Sequence, residues 1–329
     1  MAREVNTVWN YCNQASRDHW RRNRCNLSGF DLNRLCAGSS TAFDLIGDST
    51  IQEVGQAYAT RRRACRKNRL RWRVSNRKHR RYSLGWVPFK ARAARFRNGA
   101  VRFAGHDFRV WDSYGLGDYA FQAGCFTEDA CGHWYFCVTV KVQPEPDTNG
   151  QPVGIDMGLK EAAVASNGMR CASGWYRRLE QQIAIAQRAR HKKRVKRLHA
   201  RVRDCRKDAQ HKFSTAVVQA ASAVCVGNVP VKLLTAGKQA KSGYDAGIHS
   251  LRTMLRYKCE YAGIDYQEVS EAYSTQVCSA CGAPPPTSPK GRAGLGVRHW
   301  TCCECGALHD RDFNAACNIA HAGAGHRPQ

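Results

Sequence analysis

What this chain is short of narrows its possibilities first. No run of apolar residues is long enough to span a bilayer, and the N-terminal MAREVNTVWNYC has no signal-peptide core, so the sequence predicts a protein that stays inside the cell and does not enter a membrane. Acidic residues are scarce: Asp and Glu number 26 against 52 Lys and Arg, a formal net charge of +26 over 329 residues. Between Val54 and His106 there is no Asp or Glu at all. An excess of this size repels itself when compact and attracts polyanions, which points to nucleic acid ahead of an anionic membrane surface. A disulfide framework is also missing. The 17 cysteines are odd in number and, outside one C-terminal stretch, scattered singly as reduced thiols are.

That C-terminal stretch organises the rest. Cys278/Cys281 and Cys302/Cys305 are two Cys-x-x-Cys pairs, the spacing at which thiolates grip a tetrahedral structural zinc, with a loop between them long enough to bring the pairs together. Cys303, inside the second pair, has no assignment. Acidic residues flank the knuckle on both sides, so a zinc that pins a strand end near Glu271 to a helix start near Asp312 would also set carboxylates relative to one another.

In chain order, residues 3 to 82 read as mainly helical, with Val5, Val8, Trp9 and Cys12 on one face of a first helix and Phe43 to Ala59 supplying another. The basic block RRRACRKNRLRWRVSNRKHRRYS carries Arg61, Arg62, Arg63, Arg66, Arg69, Arg71, Arg73, Arg77, Lys78, Arg80 and Arg81 around Trp72 and Tyr82. Such a run is either a solvated face or a surface for a phosphate backbone, and the interleaved aromatics favour the second. Short alternating segments from Leu84 to Val142 predict antiparallel sheet, a small barrel or sandwich. PEPDTNGQP, at 144 to 152, is a linker by composition.

After the linker, VGIDMGLKEAAVAS reads as strand, turn and strand. Asp156 stands in the apolar VGIDMG, where an ionised carboxylate is costly unless a cation or hydrogen-bond donors meet it; on this residue alone, metal ligation and a hydrogen-bonded structural Asp are equally open. Leu179 to Phe213 predicts a long helix or helical hairpin rich in Arg and Lys. Ala223 to Val226 predicts a buried strand, and the Gly- and Lys-rich KLLTAGKQAKSGYDAG a mobile segment that could act as a lid. His249 to Ala262 predicts an amphipathic helix capped by Gly263, followed by a strand over Ile264 to Ser270. Strands alternating with helices argue for an α/β sheet with mixed strands.

The pieces VGIDMGLKEAAVAS, LRYKCEYAGI, EAYSTQVCSACG, WTCCECG and HDRDFNAACNI together resemble the transposon-encoded TnpB (OrfB-like) RNA-guided nucleases, relatives of the type V CRISPR effectors, most specifically over residues 150 to 320. VWNYC, STIQEV and GHWYFCVTV resemble the family's helical recognition and wedge segments more weakly. Members carry a few dozen residues ahead of the VWN-like segment, so either this start is trimmed or the wedge closes differently. The resemblance implies an α/β fold, an RNase H-like RuvC nuclease domain with an inserted zinc knuckle, behind an N-terminal helical and antiparallel β (wedge) region. The domains would be 1–83 helical recognition-like, 84–143 wedge-like, 144–152 linker, 153–276 RuvC-like, 277–306 zinc knuckle and 307–329 the C-terminal RuvC helix. It further implies a bacterial protein of the cytoplasm and nucleoid that cuts DNA with two Mg2+ ions, holds one structural Zn2+, and takes as partners a guide RNA from the transposon end and double-stranded target DNA beside an adjacent motif. Guide pairing would read the sequence while the basic protein grips backbone and shape.

By position in these motifs Asp156 matches the first catalytic aspartate and Asp312 the last. The second catalytic acid, a Glu at the end of the strand that corresponds to Ala223 to Val226, is missing, since Gly227 and Asn228 stand there. Either the chain is a nuclease-inactive, RNA-guided DNA-binding protein such as a repressor, or the acid has moved. The candidate replacement is Glu271, at the end of the next strand about 4.8 Å away, with Gly227 clearing space for it. Glu271 as a mere surface residue is the bland alternative; the retention of Asp156 and Asp312 in full context favours relocation. Glu268 is expected on the opposite face and Asp310 as a helix N-cap. A plain zinc-ribbon DNA-binding accessory protein ranks last, having no use for either aspartate.

Overall fold

The computed structural model describes residues 1–112, 115–143, 150–228, 240–291 and 293–325. Its contacts divide the chain into two units, Met1–Lys141 and Val142–Gln329. Residues 144–149 of the expected linker and 234–239 of the expected lid lie outside the described residues.

In the first unit α1 (Ala2–Asn23), α2 (Gly29–Leu35) and α3 (Asp48–Ala64) share a core in which Val5, Val8, Trp9 and Cys12 are buried at the predicted helical spacing against Ile51, Val54 and Tyr58. Two three-stranded antiparallel sheets follow. One has the order β1 (Trp86–Phe89), β5 (Phe121–Glu128), β6 (Trp134–Val140); the other runs β2 (Ala94–Arg97), β3 (Ala100–Phe103), β4 (His106–Arg109). Phe89, Phe103 and Phe126 join them, with ring centroids 5.6 to 5.8 Å apart.

Helix was expected to continue to residue 82, but α3 ends at Ala64 and the basic block is extended or turning. The reason lies on α1. Asn6, Asn10 and Asn13 occupy one stripe of that helix, and buried amides need partners. Asn13 accepts from the Leu70 amide and donates to the Leu70 carbonyl, both at 2.9 Å. Asn10 does the same with Arg73, at 2.8 and 2.9 Å, and Asn6 donates to Ser75 Oγ at 2.9 Å. Segment 70–75 thus finds on side chains the pairing that a strand finds on a neighbouring backbone.

The second unit is a mixed α/β structure. Its sheet has the order β11 (Asp265–Val269), β10 (Ala221–Gly227), β7 (Gln151–Asp156), β8 (Ala163–Ala165), β9 (Arg170–Cys171). β7, β10 and β11 are parallel, β8 turns back antiparallel to β7, and β9 turns again antiparallel to β8. The expected basic helix is a hairpin, α4 (Trp175–Arg188) and α5 (Lys192–Ala220), which with α6 (Ala240–Ala246) and α7 (Ile248–Ala262) supplies the core on one face. α8 (Arg311–Gly323) packs on β7 and β10. Strand parity shows that it lies on the other face. Val224 and Val226 belong to the core with α5 and α7, whereas a side chain on Gly323 of α8 would strike Cys225. Gly263 caps α7 in the left-handed region at φ 67°, as expected.

Replacing Asn13 by Ala strips the Leu70 amide and carbonyl, and the Tyr58 hydroxyl that also donates to Asn13 Oδ1, of their partner. Urea denaturation should show a loss of about 1–3 kcal/mol; an unchanged midpoint would mean the stripe does not hold the segment.

Candidate functional site

Parity also selects which acids meet. In β7, Gly154 faces the α8 backbone and Ile155 the opposite core, so Asp156 at the strand end faces α8. Ile155 pairs with Val226 and Gly227 with Val269, which brings the ends of three parallel strands to one level. Glu271 follows two residues later and shares the parity of Val269. Its side chain leans back over the neighbouring strand: a Cβ added at Gly227 would lie 3.1 Å from Glu271 Oε2 and 3.5 Å from Glu271 Cβ. The carboxylate therefore fills the space where a side chain at position 227 would begin. Glu268, of opposite parity, ion-pairs with Arg256 and Arg252 of α7 and accepts from the Tyr266 hydroxyl.

Asp312, in the first turn of α8, completes the group. Burial first, then the negative charges of Asp312 and Glu271, push the Asp156 carboxyl up to about 7, while Arg311 and Arg298 pull the other way. Burial also raises Glu271, opposed by Arg252, whose guanidinium donates to the Gly227 carbonyl at 3.0 Å. Among the described residues neither Asp156 nor Glu271 receives a side-chain hydrogen bond. Both side chains are half-buried, and acids clustered without side-chain donors suit a divalent cation. The three carboxylates are more widely spread than a single-ion cage, since only the four zinc-knuckle thiols, among the described residues, have all ligand atoms within 4.8 Å of one another.

Several supporting side chains carry no signal in the sequence beyond their type. Arg298, just before β12 (His299–Thr301), donates to both Asp312 oxygens at 3.1 and 2.9 Å. Asn314 and Asn318, one turn apart on α8 and buried, both donate to the carbonyls of Ser274 and Val277, tying the loop after Glu271 to the helix that bears Asp312. Asp310 caps α8 by accepting from the Phe313 amide at 2.9 Å and pairs with Arg170 at 3.5 Å.

The knuckle has the shape its spacing predicts. Each half is the same turn: the Gly282 amide donates to the Cys278 carbonyl and the Gly306 amide to the Cys302 carbonyl, at 2.8 and 2.9 Å, with both glycines in the left-handed region at φ 76° and 74°. Cys278 and Cys305 sulfurs lie 3.7 Å apart and Cys281 and Cys302 sulfurs 3.8 Å apart. A tetrahedron with Zn–S bonds of about 2.3 Å has edges of about 3.8 Å, so the thiols fit zinc. His309, on β13 (Leu308–Asp310), places Nε2 3.0 Å from the Cys278 sulfur, a link between the knuckle and the start of α8. Cys303 is exposed beside Glu304.

In the first unit, Arg61, Arg66, Arg69, Arg71, Trp72, Arg80 and Arg81 line a cavity of about 1770 Å³, with Trp20 and Tyr82 in its wall and no acidic residue anywhere in its lining. Arg63 lines a smaller one of about 460 Å³, and Lys78 is exposed. One of the expected phosphate contacts turns inward instead, and another, Arg73, lines the larger cavity with its guanidinium held by the protein. Arg62 is buried, donating to Ser16 Oγ and the Leu27 carbonyl over the Tyr58 ring. Arg73 donates to Asn6 and to the Leu84 carbonyl, between Trp9 and Trp86. Arg77 pairs with buried Glu128 at 2.8 Å.

Two family models match parts of the chain: one described as Cas12f1-like, TNB domain, over residues 249–319, and one described as probable transposase over residues 135–237. A putative RNA-guided DNA endonuclease of Streptomyces pristinaespiralis is 36% identical over 214 residues, 60% of this chain and 52% of that protein. The putative RNA-guided DNA endonuclease InsQ of Escherichia coli K12 is 27% identical over 227 residues, 59% of this chain and 55% of that protein. The chain spans about half the length of these curated relatives. A chain in the cryo-EM structure of the Cas12f1–sgRNA–target DNA complex shares the fold, with TM-score 0.58 at 12% identity over 97% of this chain and 81% of that one. No helix among the described residues is long and apolar enough to cross a membrane.

The raised Asp156 carboxyl has a sign. With its folded pKa near 7 and its unfolded value near 4, the folded state holds the extra proton, so stability falls as pH rises through that window and stays reduced above it. In EDTA, Asp156→Asn should melt several degrees above wild type at pH 8 and close to it at pH 4; an equal difference at both pH values would contradict the clustering. Elemental analysis should find one zinc per chain, reduced in Cys302→Ser together with Tm.

Proposed function

We propose that this chain, which belongs to the TnpB-like family, is an RNA-guided DNA endonuclease whose RuvC-type, RNase H-like site uses Asp156, Glu271 and Asp312 to hold two magnesium ions. Bound there, the ions would activate a water and stabilise the leaving oxygen of a phosphodiester. The protein's own contribution is geometry. Asp156 is carried rigidly at the end of the central parallel strand, Asp312 at the start of α8, and Glu271 reaches over Gly227 from the adjacent strand. That reach is the observation that supports the reading most: a side chain at 227 would crowd the Glu271 carboxylate, 3.1 Å from its Cβ, so the glycine and the displaced acid make sense together.

Arg298 holds the Asp312 carboxylate in its rotamer, and Arg252 offsets part of the negative charge near Glu271. One zinc in the knuckle would fix the segment between Glu271 and Asp312. The acid-free cavity of the first unit suits the phosphates and unstacked bases of a guide RNA, with Trp20 and Trp72 as stacking surfaces. The working partners are then a guide RNA from the transposon end and a DNA target beside an adjacent motif, with the helical and β parts of the first unit in the recognition and wedge roles.

Glu271→Ala should abolish magnesium-dependent cleavage of guided plasmid while leaving guided binding intact. Adding Gly227→Glu to Glu271→Ala should restore part of the cleavage, because the acid returns to the same space from the other strand. Cleavage by Glu271→Ala at the wild-type rate would sink the relocated site. A wild-type complex that binds its guided target in magnesium and leaves it whole would instead make the protein a guided DNA binder.

A further inference from the structure

From Gln181 to Val202 the chain has no acidic residue. Within that stretch Lys192, Lys193, Arg194, Lys196, Arg197 and Arg201 are all exposed on α5, and among the described residues none of the six is in an ion pair. The helix is held by the opposite side, where Leu198 and Val202 are buried in one core with Ile183 and Ala186 of α4. Three of these cations occupy the first turn of α5, which has no acid. Positive charge at a helix N-terminus opposes the macrodipole, so the arrangement weakens the helix and strengthens its pull on anions.

The topology places this cationic end. α5 passes into β10 with no intervening residue and packs back along it. β10 rises about 20 Å from Ala221 to Gly227 at 3.3 Å per residue. At 1.5 Å per residue α5 covers that height in about 13 residues, so the helix draws level with the strand end near Lys207. Side-chain contacts agree: Arg206 donates to the Tyr244 carbonyl and Gln210 to the Ala246 carbonyl, just before α7, and Arg252 of α7 donates to the Gly227 carbonyl. The remaining residues, 192 to 206, extend about 20 Å past the level of the strand ends where Asp156, Glu271 and Asp312 gather, in the helix layer on the face of the sheet opposite α8.

We infer that the exposed cationic face at the N-terminal end of α5 is a docking surface for the backbone of the DNA strand delivered to the carboxylates. This rests on the endonuclease reading. The strand to be cut, and not the guide, is the nucleic acid that must reach this edge, and a row of cations standing beyond it on the other face holds the backbone that leads up to the cut. Lys193, Arg197 and Arg201 recur every fourth residue, about 6 Å apart along the helix, as a continuous row.

The test uses the full chain with its co-purified RNA and the triple variant Lys193→Gln/Arg197→Gln/Arg201→Gln, since Gln keeps helix propensity. Binding of a labelled single-stranded DNA oligonucleotide is measured in calcium across a salt series, so that the outcome does not depend on cleavage. Three lost phosphate contacts should flatten the slope of log affinity against log salt by about 2. In magnesium, KM for guided DNA should rise about tenfold with kcat nearly unchanged, with RNA content as in wild type, and Lys193→Arg alone should behave as wild type. An unchanged DNA slope, or loss of RNA with DNA binding intact, would overturn the assignment. Failure of the catalytic site would appear separately, as DNA bound normally and never cut.

Discussion

Mutual repulsion among three carboxylates at one sheet edge is the constraint around which the second unit is arranged. Asp156 and Glu271 face the helix that bears Asp312; burial, with the charges of Asp312 and Glu271, raises the cost of ionising Asp156, whose carboxyl stands near 7 instead of near 4. A fold tolerates such a cluster only if rigid elements hold the acids against their own repulsion. Here Asp156 is fixed by strand pairing on both sides, Asp312 by the helix N-terminus and the Arg298 guanidinium, and Glu271 by a loop pinned to α8.

The last of these is where the chain departs from a simple strand-end acid. A side chain arriving from the adjacent strand needs an empty position below it and a fixed loop behind it. Gly227 supplies the first, and Asn314 and Asn318 supply the second by grasping the Ser274 and Val277 carbonyls. The zinc knuckle begins one residue later, at Cys278, and its other end returns through His309 and Asp310 into α8. Knuckle, loop and helix therefore form one closed connection between Glu271 and Asp312.

The first unit divides its arginines by the same logic of partners. A guanidinium can be buried only where acceptors meet it, so Arg62 and Arg73 are spent on carbonyls, hydroxyl and amide oxygens and on ring faces. Arg61, Arg66, Arg69, Arg71, Arg80 and Arg81 remain on an acid-free concave surface, and the asparagine stripe of α1 keeps segment 70–75 extended there, where a helix would distribute its side chains around its circumference. Arginines that bond to the protein and arginines that line the cavity are thus neighbours in sequence, and the hydrogen-bond partners separate them.

The sequence by itself determined the four clustered knuckle cysteines, the helix and strand periods, the acid-free basic block and the identities of three acids. Each is local, because a four-residue knuckle or an alternating strand carries its own geometry. It also marked Glu271 and Gly227 as related, by their distance from the ends of strands expected to be neighbours. Only the tertiary structure decided that the Glu271 side chain leans inward over Gly227, that Arg62 is buried and Arg73 half-buried against α1, that helix gives way to extended chain after Ala64, and that Arg298, Asn314 and Asn318 support the acids. Those depend on partners tens of residues away, and a side chain's direction is set by what it meets across the fold, which residue type and spacing do not encode.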